Sequence, residues 1–97
     1  MVQISWLVEA QRDLKEIFDY IALDSNKYAS LEIDRIYQKV ELLKVQPFLG
    51  KVVPELENTS IRELVEGNYR IIYRVVDDNR LHILMVHHGA RDLGRRL

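Results

Sequence analysis

The dipeptide Gly67-Asn68 constrains this chain more than any other pair of its residues. It separates two strand-like runs, Ile61–Glu66 and residues 69–76, and a two-residue connection with glycine in the first central position closes a tight hairpin. Residue 66 then pairs with 69, and 62 with 73. Because side chains alternate along a strand, Ile61, Glu63 and Val65 share a face with Arg70, Ile72 and Arg74, while Arg62, Leu64, Ile71 and Tyr73 share the other. The second set is the better floor for helices. The first becomes an open face from which Arg70 and Arg74 project, with Glu63 in cross-strand reach of both. A one-residue bulge would swap the faces of one strand and bring Arg62 into the same groove.

Arginine is an unusual strand residue. A guanidinium occupies such a position where the face is wet, where a carboxylate pairs with it, or where a partner supplies phosphate or carboxylate. The sheet face is therefore the first place to look for function, with Arg70 and, at the exit of the last strand, Arg91 converging on an anionic partner.

The rest of the chain supplies what such a sheet needs. Val2, Ile4 and Trp6 alternate with polar residues as a short strand does. Over residues 8–23, Ala10, Leu14, Ile17, Phe18 and Ile21 form a helical stripe. Asp24-Ser25-Asn26 interrupts it and offers caps for a second helix carrying Ala29, Ile33, Ile36, Val40 and Leu43, which Pro47 closes. Residues 47–60 read as an irregular loop holding Lys51, Glu55 and Glu57. Asp77-Asp78-Asn79 makes the next turn, and residues 81–86 are apolar on both faces, as in a central strand. Residues 92–97 read as an extended tail. The fold class is α+β: a small antiparallel sheet packed against an N-terminal helical hairpin, in the order β-α-α-β-β-β.

Ninety-seven residues, 47% of them apolar, suit one domain spanning 1–97 that buries roughly 60 to 65% of its unfolded surface. Without cysteine there is no disulfide or thiolate metal site, and with no signal core or membrane-length apolar run the expected location is the cytoplasm. Residues 1–60 carry seven Lys/Arg and ten Asp/Glu (net −3), whereas residues 61–97 carry seven and five (net +2). Every cation after Lys51 is arginine, the residue suited to bidentate contact with RNA phosphates or an acidic protein segment. Surface ion pairing accounts equally well for an excess this small.

His87 and His88 precede Gly89, and a histidine there has the chemistry of a general acid or base near neutral pH. Being adjacent on a strand, they point to opposite faces, so one at most shares a groove with Arg70. No third ligand accompanies them at zinc-binding spacing, and neither metal nor other cofactor is implied. His82 reads as structural, and Tyr69 and Tyr73 as core strand residues.

Taken together, Asp13-Leu14 with Tyr20-Ile21, Pro47-Phe48 with Gly50, Ile61-Arg62-Glu63-Leu64, residues 68–73 and His88-Gly89-Ala90-Arg91-Asp92 give the chain its family likeness. It resembles, over its full length, the RelE/ParE superfamily of type II toxin-antitoxin toxins. The resemblance implies a sheet with a helical hairpin, toxicity in bacteria, a role of the plasmid-stabilisation kind, and hetero-oligomeric neutralisation by a cognate antitoxin whose disordered segment folds as it wraps the toxin. On that basis Arg62, Glu63, Arg70, Arg74 and Arg91 are the candidate partner-binding residues.

Two activities divide that superfamily. RelE-like members cut messenger RNA on the ribosome, and ParE-like members inhibit DNA gyrase without being nucleases. Arg70 and Arg91 match the two arginines of the RelE pattern. Ile61 and Glu63, however, stand where its lysines would fall, and the end of the chain lacks its tyrosine. A glutamate in place of a lysine opposes a polyphosphate strand, which favours the ParE-like, non-enzymatic reading. The alternative is a ribosome-dependent endoribonuclease. A YoeB-like arrangement lays Glu55, Arg70 and His87 or His88 on the roles of base, charge stabiliser and acid, with Arg91 beside them.

Overall fold

The computed structural model describes residues 1–97. Strand β1 (Gln3–Trp6) leads into helix α1 (Val8–Ala22) and helix α2 (Asn26–Glu41), and strands β2 (Lys51–Val52), β3 (Ile61–Glu66), β4 (Tyr69–Asp77) and β5 (Arg80–His88) follow. The Ser25 hydroxyl caps α2 by accepting from the Tyr28 amide at 3.2 Å, which satisfies one of the amide donors a helix start leaves open. At the other end, α2 tightens into a 3-10 turn, Leu42–Lys44, ahead of Pro47.

The sheet runs in the order β1-β5-β4-β3-β2. The hairpin register is the one dictated by the turn, from Glu66↔Tyr69 to Ile61↔Arg74, with Gly67 at φ +57°. The sheet is not wholly antiparallel, because β1 lies parallel to β5, Gln3 beside Arg80 and Trp6 beside Ile83. A tight turn specifies only the strands it joins; the direction of β1 is set by the helical connection and the loop that bring the chain back.

One face of the sheet forms the main core with the helices. Leu14, Ile17, Ile36, Val40 and Leu43 pack on Leu64, Ile71, Tyr73, Leu81, Ile83 and Val86. Each large apolar side chain fully withdrawn from water contributes about 1.5–3 kcal/mol, so this layer is the main source of stability. No helix is long and apolar enough to cross a membrane.

The opposite face, expected to be open, is covered. Val53 and Leu56 from the loop after β2, together with Leu93, close over Ile72, which is wholly buried. Two segments that read as irregular or extended therefore fold onto the sheet, and residues 93–95 form a 3-10 turn in place of an extended tail. The loop is held from below. Tyr73 Oη accepts from the Gly50 amide at 2.8 Å, and a Cβ at position 50 would stand 2.4 Å from the Glu63 carbonyl oxygen. Only glycine fits that approach.

The bulge lies elsewhere than the hairpin. It falls between β4 and β5, where the register steps from Ile72↔Met85 to Tyr73↔Ile83 and leaves Leu84 as the extra residue. Arg62 therefore stays opposite Tyr73 on the helix side, outside the groove proposed for it.

Candidate functional site

Arg70 lies on β4 directly opposite His87 of β5, and its side chain runs along the outer face. Its Nε donates to Glu63 Oε2 at 2.7 Å. Its two terminal nitrogens donate in parallel to Glu55, at 2.8 and 2.9 Å. Lys51 adds a weaker contact to Glu63 at 3.8 Å. Planar guanidinium against planar carboxylate is the strongest ion-pair geometry available to side chains, and here it is shielded, with the Glu63 side chain 4% exposed. Hydrogen bonds donated by Arg70 hold the Glu55 carboxyl down at about 2, and the bonds that Glu55 and Glu63 accept raise Arg70 above its ordinary value. Glu55 is thereby a very weak base, and Arg70 has its charge matched from within.

Arg74 differs. It is exposed and has no carboxylate within ion-pairing distance; Glu63 is directed to Arg70 alone, not to both arginines as the strand spacing suggested. Arg62 is a structural clamp on the loop: it donates to the carbonyls of Gly50 at 2.9 Å and Thr59 at 3.1 Å, and its guanidinium lies 4.9 Å from the centre of the Phe48 ring.

The two histidines do point to opposite faces. His88 lies beside Tyr69 with the ring centroids 5.5 Å apart in an edge-on arrangement. His87 is buried on the side of Arg70. Its Nε2 lies 3.0 Å from the Arg91 carbonyl oxygen, which only accepts, so Nε2 carries the proton. Its Nδ1 accepts from Arg96 at 3.3 Å. Both ring nitrogens are thus engaged, which leaves neither to exchange a proton with a substrate.

Arg96 has no role in the sequence reading, and Asp13 enters it only through the family likeness. Arg96 donates to Asp13 Oδ2 at 2.9 Å and Glu9 Oε1 at 3.1 Å, tying the end of the chain to α1. Asp13 also accepts the Val86 amide at 2.8 Å, so one carboxylate joins α1, β5 and residue 96. A signal for it exists in the sequence: Asp13 sits three residues after Ala10 and four before Ile17, inside the buried stripe, where a carboxylate must have partners.

Arg91 does not converge with Arg70. It lines a cleft between α1 and the exit of β5, next to Tyr20, Tyr69 and His88, whereas Arg70 is enclosed by Glu55 and Glu63 on the outer face. No group of three or more His, Cys, Asp or Glu side chains is placed to hold a metal ion.

Residues 4–93 match the family described as the ParE toxin of the type II toxin-antitoxin system parDE. The chain belongs to the ParE toxin family. Toxin RelE2 of Caulobacter vibrioides is 32% identical to it over 91 residues, which is 94% of this chain and 99% of that protein. The fold is shared with a chain of the chromosomal ParDE system from P. aeruginosa, at a TM-score of 0.73 and 24% identity, covering 91% of this chain and 96% of that one. It is also shared with a chain of the RelBE2 toxin-antitoxin complex from Mycobacterium tuberculosis, at a TM-score of 0.57 and 24% identity, covering 90% and 96%. Relatives thus carry both the ParE and RelE names, and the chain is a type II toxin of the superfamily that includes both.

Proposed function

We propose that the chain acts by binding rather than by cleavage, in the ParE manner, with DNA gyrase as its target and a cognate antitoxin as its neutralising partner in the cytoplasm. The observation that supports this most is the state of the groups a nuclease would use. Glu55 is held near 2 by Arg70, Arg70 is matched by two carboxylates, and both nitrogens of His87 are occupied. A general base so weak and an arginine so enclosed are poor agents for activating a ribose hydroxyl and stabilising a phosphorane. Glu55 and Glu63 together cancel the positive charge of Arg70 that would otherwise attract an RNA backbone.

For the antitoxin, the helical hairpin offers apolar side chains open to water, among them Leu23 at 82% and Tyr28 at 67% exposure. A segment that orders on binding needs apolar area of this kind to offset its lost entropy.

The endoribonuclease reading keeps one observation in its favour: Glu55, Arg70 and His87 lie on the same face, the trio a YoeB-like site requires. A gyrase supercoiling assay run beside a translation-coupled RNA cleavage assay decides between them. Inhibition of supercoiling with intact messenger RNA is the expected result. Ribosome-dependent cleavage that disappears in Arg70→Ala and His87→Ala would overturn it.

A further inference from the structure

Six of the nine arginines are engaged inside the molecule. Arg62 is held by backbone carbonyls, Arg70 by Glu55 and Glu63, Arg96 by Asp13 and Glu9, and Arg80 by Asp77; Arg35 and Arg95 reach Glu32 and Asp92 at 3.9 and 3.8 Å. Arg12, Arg74 and Arg91 are left without a carboxylate. Arg74 stands alone on β4, but Arg12 and Arg91 line one continuous trough.

That trough is made of two clefts that share Asp13, Glu16, Arg91 and Arg96. The first, of about 440 Å³, is walled by Tyr20 and Tyr69 and ends at His88. The second, of about 370 Å³, has no apolar wall and holds Arg12. The lining as a whole carries three arginines and three carboxylates, but Arg96 takes both Glu9 and Asp13, which leaves Arg12, Arg91 and Glu16 without an ion-pair partner. Two unpaired guanidiniums can take one carboxylate, but Glu9, Asp13 and Glu16 along α1 make the trough unsuitable for a run of phosphates, whose further charges would meet like charge. A protein segment with one carboxylate beside an aromatic or aliphatic anchor fits both halves: the anchor fills a desolvated aromatic pocket and the carboxylate takes a guanidinium.

We propose that this trough docks a surface segment of the folded target protein, with an aromatic or aliphatic side chain between Tyr20 and Tyr69 and a carboxylate on Arg91 and Arg12. The proposal rests on the reading above that the chain acts by binding a protein. The trough is assigned to the target because it is short and half polar. An antitoxin segment that must order as it binds is better served by the longer apolar surface of the helices.

The test is the double reversal Arg12→Glu with Arg91→Glu in the full chain, with Arg12→Lys and Arg91→Lys as the charge-conserving control. The reversed protein should lose growth inhibition on induced expression. It should need about tenfold more protein or more to inhibit supercoiling, and should bind DNA-free gyrase correspondingly less well. Its affinity for the antitoxin encoded beside it should stay within about threefold, which also confirms the fold. The lysine variant should fall between the two.

Undiminished toxicity of the reversed protein overturns the proposal. So does lost antitoxin binding with toxicity retained, which would give the trough to the antitoxin. A loss of affinity seen only when DNA is present would make it a phosphate reader and overturn it equally. A wild-type chain that stops growth without touching gyrase removes gyrase as the target, yet loss of toxicity in the reversed variant would still locate the docking surface.

Discussion

Arg70 and Arg91 stand at the same end of the sheet, on paired strand β4 and just past β5, and they have opposite fates. Arg70 is 16% exposed and donates three short hydrogen bonds to two carboxylates. Arg91 is exposed and has none. What separates them is the loop after β2, which lays Glu55 over one arginine and leaves the other on an open cleft. Residue type and strand position alone do not tell a structural cation from a binding one; the location of the nearest carboxylates does.

The largest effect should follow from opening the closed site. Arg70→Ala leaves Glu63 buried with only the distant Lys51 to oppose it and should cost about 3 kcal/mol, measured by urea unfolding. Arg91→Ala should cost less than about 0.5 kcal/mol, and equal losses in the two variants would erase the distinction.

Next in size is Arg96→Ala, which removes the cation from the half-closed floor of the trough. Asp13 keeps the Val86 amide, so the loss should be about 1–2 kcal/mol; doubling with Asp13→Asn should restore part of it.

The pH response sharpens the comparison further. Glu55 is held at about 2 against an ordinary 4.5, so its stabilising contribution is complete above 4.5 and fades as pH falls toward 2. The difference in urea midpoint between the wild type and Glu55→Gln should shrink as pH drops through that window, and a difference that stays constant would mean that the carboxylate is not held by Arg70.

The smallest effect belongs to Arg74→Ala. With no partner to lose, it should shift stability by no more than about 0.5 kcal/mol by the same urea assay.

The sequence was most readable where interactions are local. Gly67-Asn68 dictated the hairpin register, Ser25 announced the start of α2, and the 3.6-residue stripes placed the helices against Leu64, Ile71 and Tyr73. It was least readable where distant segments meet. The cover of Val53, Leu56 and Leu93 over Ile72 has no periodicity to betray it, and although the helical stripe calls for a partner to Asp13 it does not name Arg96, because each contact depends on where a segment without repeating pattern comes to rest. The candidate site suffered most from this. Arg70 does share a strand face with Glu63, but Val53, Leu56 and Leu93 cover the middle of that face, and Arg91 lines a cleft beside α1 instead of joining Arg70.

The bond between the Gly50 amide and the Tyr73 hydroxyl gives this loop an unusual property. An amide in an irregular stretch ordinarily trades its hydrogen for deuterium within seconds to minutes, but this one sits beneath the chain against a wholly buried phenol. Its exchange should be as slow as that of the central strands, making residue 50 a built-in clock for the event that uncovers Arg70.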